Sequence, residues 1–198
     1  MNLAAPESDD DILHVESRMG DFIPRSKTIW TIGHSTRTLD EFVAVLEQYG
    51  VQAIADVRRH PGSRRLPQFG QAALQESLES RGFGYLWIAE LGGRRRPVKD
   101  SPNAAWRNIS FQGYADHLES HTFKQGLKAL LEFADTQRTA MMCAELLWWR
   151  CHRALVSDVL KLHGMEVLHI QDDKHLTEHP YTSPAKVEDG RLRYVATD

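Results

Sequence analysis

TIWTIGHSTRTLDEFVAVLEQYGVQAIADV, residues 28–57, is the stretch whose reading decides the fold. TIWTIG is a short β-branched run closed by Gly33, the pattern of a buried strand. Thr38 and Glu41 have capping-box spacing. Leu39, Phe42, Val43 and Leu46 then share one helical face, and Gly50 ends the helix. VQAIADV is the next strand. The segment therefore reads as strand, loop, helix, strand.

The same alternation continues outward. A helix is expected over about 71–81, closed by Gly82, before the strand FGYLWI. FQGYADHLES and FKQGLKALLEFADTQ have helical periodicity, and AMMCAE is a fourth strand. Residues 152–163 are a further helix and EVLHI a fifth strand. Asp189-Gly190, between alternating residues, marks a hairpin. This order predicts a single α/β domain: a mostly parallel sheet of about five strands, helices on both faces, and a C-terminal hairpin. Its bounds are 27–198, with residues 1–26 as an acidic arm.

The 198-residue chain, 41% hydrophobic and 26% charged, has the make-up of an ordinary globular protein. No apolar run reaches the roughly 18–20 residues that span a bilayer. The N-terminus lacks the basic-then-apolar order of a signal peptide, and two cysteines are too few for a secreted disulfide scaffold. A cytoplasmic protein with no membrane partner is expected, its oligomeric state left open. The net charge of −3 hides local contrast. The first residues are acidic, whereas RRHPGSRR (58–65) and GGRRRPVK (92–99) are strongly basic.

In such sheets ligands bind beyond the carboxyl ends of the strands, so the residues there carry the functional reading. After the second strand, Asp56 can orient Arg58 through a bidentate pair, leaving Arg64 and Arg65 to face an anion. In GHSTRT, Ser35 and the first helical N–H groups suit a phosphate or carboxylate. His34 is either a proton carrier or a hydrogen-bonded histidine. The loop lacks the glycine spacing and lysine of a Walker motif.

CAELLWWRCHR, residues 143–153, is the densest stretch. Cys143 reads as a small buried hydrophobe. Cys151 stands at a helix start among Arg150, His152 and Arg153, a setting that favours an accessible thiolate and faster alkylation than at Cys143. Glu145 is placed as a general acid or base, or as a salt-bridge partner of Arg150 or Arg153. Of Trp148 and Trp149, one is expected in the core and one, Trp149, on a ligand ring. C-x7-C-H is not a zinc spacing, so no metal and no cofactor are expected. Cys143 to Arg150 is one residue too long for the C-x5-R loop of sulfur- and phosphoryl-transfer enzymes.

TIGHSTRTLDEFVAVL, IADVRRHPGSRR, YLWIAELGGRRR, FQGYADHL, MMCAELLWWRCHRALVSDVL, VLHI and HPYTSPAKVEDGRLRY, in this order, resemble the DUF488 family over about residues 28–194. The resemblance implies an α/β domain. It also implies a site drawn from Gly33, His34, Ser35, Asp56, Arg58, Ser63, Arg64, Cys143, Glu145, Cys151, His152, Arg153 and His169. It carries no activity. Two functions remain open. One is an enzyme on a phosphate-bearing substrate, with Glu145, Cys151 and His34 catalytic and the arginines gripping phosphate. The other is a non-catalytic nucleic-acid-binding module.

Overall fold

The computed structural model describes residues 27–62 and 64–196. The opening stretch forms β1 (Thr28–Gly33), α1 (Leu39–Gln48) and β2 (Ala53–Asp56). The capping box is present: Thr38 Oγ1 accepts the Glu41 N–H at 3.2 Å, and the Glu41 carboxylate accepts the Thr38 N–H at 2.7 Å. Donors that a helix start leaves unpaired are thereby satisfied. The chain continues through α2 (Gln71–Glu79), β3 (Gly84–Trp87), α3 (Ile109–His117), α4 (His121–Asp135), β4 (Thr139–Cys143), α5 (Arg153–Leu162) and β5 (Glu166–Ile170). It ends in β6 (Leu176–Glu178), β7 (Lys186–Glu188) and β8 (Arg191–Arg193).

The main sheet has the order β3-β2-β4-β1-β5-β6, with the first five strands parallel. Successive residues of each strand face opposite layers. Trp30, Ile32, Ile54, Ala140 and Met142 pack beneath α1 and α2. Ile29, Ala55, Met141 and Val167 pack beneath α3, α4 and α5. The chain is thus a mostly parallel α/β domain with helices on both faces, as its alternation implies. The hairpin is β7–β8, and Asp189 and Gly190 both take positive φ, at 49° and 73°, as a tight two-residue turn requires.

One strand escapes the sequence reading. β6 pairs antiparallel with β5 at the sheet edge, and all three of its residues are exposed. A short edge strand with no buried face has no hydrophobic signature to read. Among the described residues no helix is long and apolar enough to cross a membrane. The acidic arm expected over 1–26 lies outside the described residues, as does Ser63.

A buried polar chain ties the C-terminal segment to the α5 layer. Arg153 Nη1 donates to Thr31 Oγ1 at 3.2 Å, and Thr31 bonds His169 Nδ1 at 2.7 Å. His169 Nε2 bonds His179 Nδ1 at 2.9 Å, and His179 Nε2 reaches Asp158 at 3.0 Å. Arg153 only donates and the carboxylate only accepts, so every link runs in one direction, from cation to anion. Burial, with the nearby His179 and Arg153, lowers the His169 pKa and keeps its ring neutral. Asp158 also accepts the Thr182 N–H, the Thr182 hydroxyl and the Tyr194 hydroxyl.

Removing one donor to this buried carboxylate should cost far less than removing its charge. Tyr194→Phe keeps the packing and loses a charged hydrogen bond, for about 1.5–3 kcal/mol. Asp158→Asn also breaks the ionic end of the chain and should cost about 3–5 kcal/mol. Urea unfolding of both variants checks the order. Equal losses would mean that Tyr194 acts through packing rather than through Asp158.

Candidate functional site

The chain leaves β1 through α1 towards β2 on one face of the sheet. It leaves β4 through α5 towards β5 on the other face. β1 and β4 are neighbours, so their outgoing loops diverge and open a notch at the carboxyl end of the sheet, where ligands of open α/β folds bind. The register pairs Gly33 with Cys143 across this notch. A side chain is impossible at Gly33, because a Cβ there would lie 1.9 Å from the Glu145 carbonyl oxygen. Two loops that close need a residue without a Cβ.

A cleft of about 450 Å³ occupies the notch. His34, Ser35, Arg58, Cys143, Glu145 and His152 line it, together with Arg59, His60 and Arg94 from neighbouring loops. Arg58 is almost fully enclosed. Its Nε and Nη2 fork onto Asp56 at 2.8 and 2.5 Å, and Nη1 donates to the Phe69 carbonyl at 2.7 Å. Asp56 is in turn held by the Arg58 N–H and the Tyr85 hydroxyl. Burial opposes the charge of Arg58, but the bond to Asp56 outweighs it and raises the pKa. Asp56 lies behind the wall, as the orienting partner of Arg58.

His34 stacks on Phe69, with ring centroids 4.2 Å apart. Its Nδ1 donates to the Ser35 carbonyl at 2.9 Å, which leaves the Nε2 lone pair 3.4 Å from Arg58 Nη1. Burial lowers its pKa to about 4, opposed by the Ser35 bond, so the ring is neutral near pH 7.

The thiols depart from expectation. Cys151 is only 4% exposed and does not line the cleft; the sulfur in its wall is that of Cys143, 9% exposed. The 3-10 turn Trp148–Arg150 takes the Cys151 N–H onto the Trp148 carbonyl and tucks the residue inward. Burial works against a Cys151 thiolate. Its hydrogen bond with Cys143, the Arg153 charge and the Arg153 N–H at 3.5 Å overcome that and lower the pKa to about 6. The same hydrogen bond between the two sulfurs, with burial, pushes the Cys143 thiol up to about 12. Of the two thiols, Cys151 is thus the more readily ionised.

Three expected arginine grips lie elsewhere. Arg153 is 1% exposed; it holds the Glu145 and Leu146 carbonyls and Thr31, and its Nε has no hydrogen-bond partner. Arg153 therefore meets Glu145 through its carbonyl rather than its carboxylate. Arg64 and Arg65 are exposed outside the cleft lining. The cleft takes Arg59 and Arg94 instead, joined by an Arg59 Nη1 bond to the Arg94 carbonyl at 2.9 Å. A signal for Arg94 existed: Gly92-Gly93-Arg94 follows the third strand, where the strand-end rule points. Of the tryptophans, Trp148 stacks on the buried His169 ring at 4.3 Å, and Trp149 is 49% exposed outside the cleft lining.

C-x7-C-H spacing gives no hint of a ligand group, yet the fold brings Cys143, Cys151 and His152 together. One donor atom from each lies within 4.8 Å of the other two. A strand end and the following helix start meet in space after a loop of arbitrary length, so consecutive spacing does not encode the contact.

Fold and cleft define a mostly parallel α/β domain with an arginine- and thiol-bearing notch at its switch point. The family described as domain of unknown function DUF488 matches residues 38–160, and the chain belongs to it. Comparisons with curated proteins and with solved structures found no match.

The Asp56–Arg58 pair yields a direct test. Asp56→Asn strands a buried guanidinium and should destabilise by about 3–5 kcal/mol. Tyr85→Phe, which removes one bond to the same carboxylate, should cost about 1.5–3 kcal/mol. Chemical denaturation measures both, and an Asp56→Asn loss below that of Tyr85→Phe would show the pair to be solvated.

Proposed function

We propose that this protein is an enzyme acting on a phosphate-bearing small molecule, a nucleotide or a related ester, held in the notch. One observation carries the reading. Arg58, Arg59 and Arg94 converge with Glu145 on a single cleft of about 450 Å³, within the size range of small-molecule sites. Arg59 and Arg94 would contact the phosphate. The donors of Arg58 are largely taken by Asp56 and Phe69, so it supplies field rather than direct bonds. Glu145, exposed at the rim, is the general acid or base. His34 offers a neutral imidazole whose Nε2 lone pair lies 3.4 Å from Arg58 Nη1.

The nucleic-acid-binding reading has one observation in its favour. A second groove of about 500 Å³ shares Arg59 and Arg94 with the cleft and adds Arg95 and Arg96. A cationic track of this kind suits a polyanion.

Binding titrations separate the two. On the enzyme reading a mononucleotide binds. Arg59→Ala and Arg94→Ala should each weaken it roughly tenfold, a charge-assisted bond being worth about 1.5 kcal/mol, while Arg64→Ala and Arg65→Ala leave it unchanged. Suppose instead that only an oligonucleotide binds, with a log–log salt slope of roughly −3 from four contacts. The protein would then be a binding module and the catalytic assignment of Glu145 would fall.

A further inference from the structure

Beneath the anion-facing wall lies a donor group that the phosphate reading leaves unused. Cys143 ends β4, and Cys151 and His152 lie on the loop entering α5. Their two sulfurs and one ring nitrogen lie within 4.8 Å of one another. His152 Nε2 bonds the Val57 carbonyl oxygen at 3.0 Å. A carbonyl only accepts, so the ring proton is on Nε2, and the Nδ1 lone pair faces Cys151 Sγ at 3.5 Å. An imidazole held through its far N–H by a carbonyl, with the other nitrogen turned to a cysteine sulfur, is oriented as metal-bound histidines are.

The distances fit a tetrahedral ion. Metal–sulfur bonds of about 2.3 Å and metal–nitrogen bonds of about 2.0 Å put sulfur and nitrogen ligands roughly 3.5 Å apart. Gly93 packs against the Nδ1 edge of the ring, where a Cβ would lie 2.7 Å from His152 Nδ1. The Arg153 N–H steadies the Cys151 sulfur at 3.5 Å. Cys143 and His152 line the cleft, so one side of the group faces the space where a ligand would sit.

We propose that Cys143, Cys151 and His152 form a binding site for a thiophilic divalent metal ion of the zinc class, with its fourth position open to the cleft. Two thiolates and a neutral imidazole balance the dipositive charge. Uptake of the ion displaces any thiol protons to solvent. Three protein ligands with an open position are the pattern of a reactive rather than a purely structural zinc site. The site stands apart from the phosphate reading, because metal uptake needs no substrate.

The test is a titration of the reduced full-length protein with Co(II). A tetrahedral spectrum with sulfur-to-metal charge-transfer absorption is expected, saturating at one ion per chain and displaced by Zn(II). Cys143→Ser and Cys151→Ser should each weaken the charge-transfer band, and His152→Gln should lower affinity at least tenfold while leaving the band. Circular dichroism checks that the variants fold. Where one does not, wild-type protein supplies the second readout: Zn(II) should slow alkylation of both cysteines. The proposal is overturned if the charge-transfer band is absent while both thiols titrate as free. It is equally overturned if the band is undiminished in both serine variants, or if alkylation is indifferent to Zn(II). Failure of a mononucleotide to bind would leave it intact.

Discussion

A buried guanidinium must have its charge and donors met, and in this chain Arg153 imposes that demand on everything around it. Among the described residues it forms no ion pair with a carboxylate. It holds two carbonyls of the loop after β4 and the Thr31 hydroxyl of β1, so strand, loop and helix start are pinned at one point. Its charge also helps to draw the proton from Cys151. The nearest chain of hydrogen bonds then leads through Thr31, His169 and His179 to the carboxylate of Asp158. Cation and anion are thus balanced across the α5 layer by polarised links rather than by direct contact.

The other side of the notch solves the same problem in the ordinary way, with Arg58 forked onto Asp56. One buried arginine is thus paired with a carboxylate and the other is not. Near Arg58 the site is positively charged, and His34 is kept neutral. Near Arg153 the charge favours ionisation of Cys151. The arrangement places the cleft arginines, a neutral His34 and the Cys143 thiol in one lining.

Local chemistry made much of the scaffold legible. Thr38 and Glu41 announce the cap of α1, and Asp189-Gly190 announces the hairpin turn. The strand-and-helix periods imply a parallel sheet because each signal acts within a few residues. The strand-end rule also pointed to His34, Arg58 and Glu145, which share the cleft. β6 was invisible, since an exposed three-residue edge strand is defined only by its neighbour β5.

The sequence by itself determined which side chains stand at the ends of β1, β2 and β4, because strand and helix boundaries follow from capping, periodicity and glycine. It did not determine which of them face ligand. Arg153 reads as a cation beside a reactive cysteine, yet it is enclosed, while Arg59 and Arg94 from separate loops meet in the cleft. Cys143 and Cys151 are both buried, the cleft is lined by Cys143 rather than Cys151, and His152 joins them as a third donor. Solvent access and donor convergence depend on how loops pack across the switch point. Only tertiary structure decides that, since the contacting residues are joined by segments whose length constrains their meeting so little.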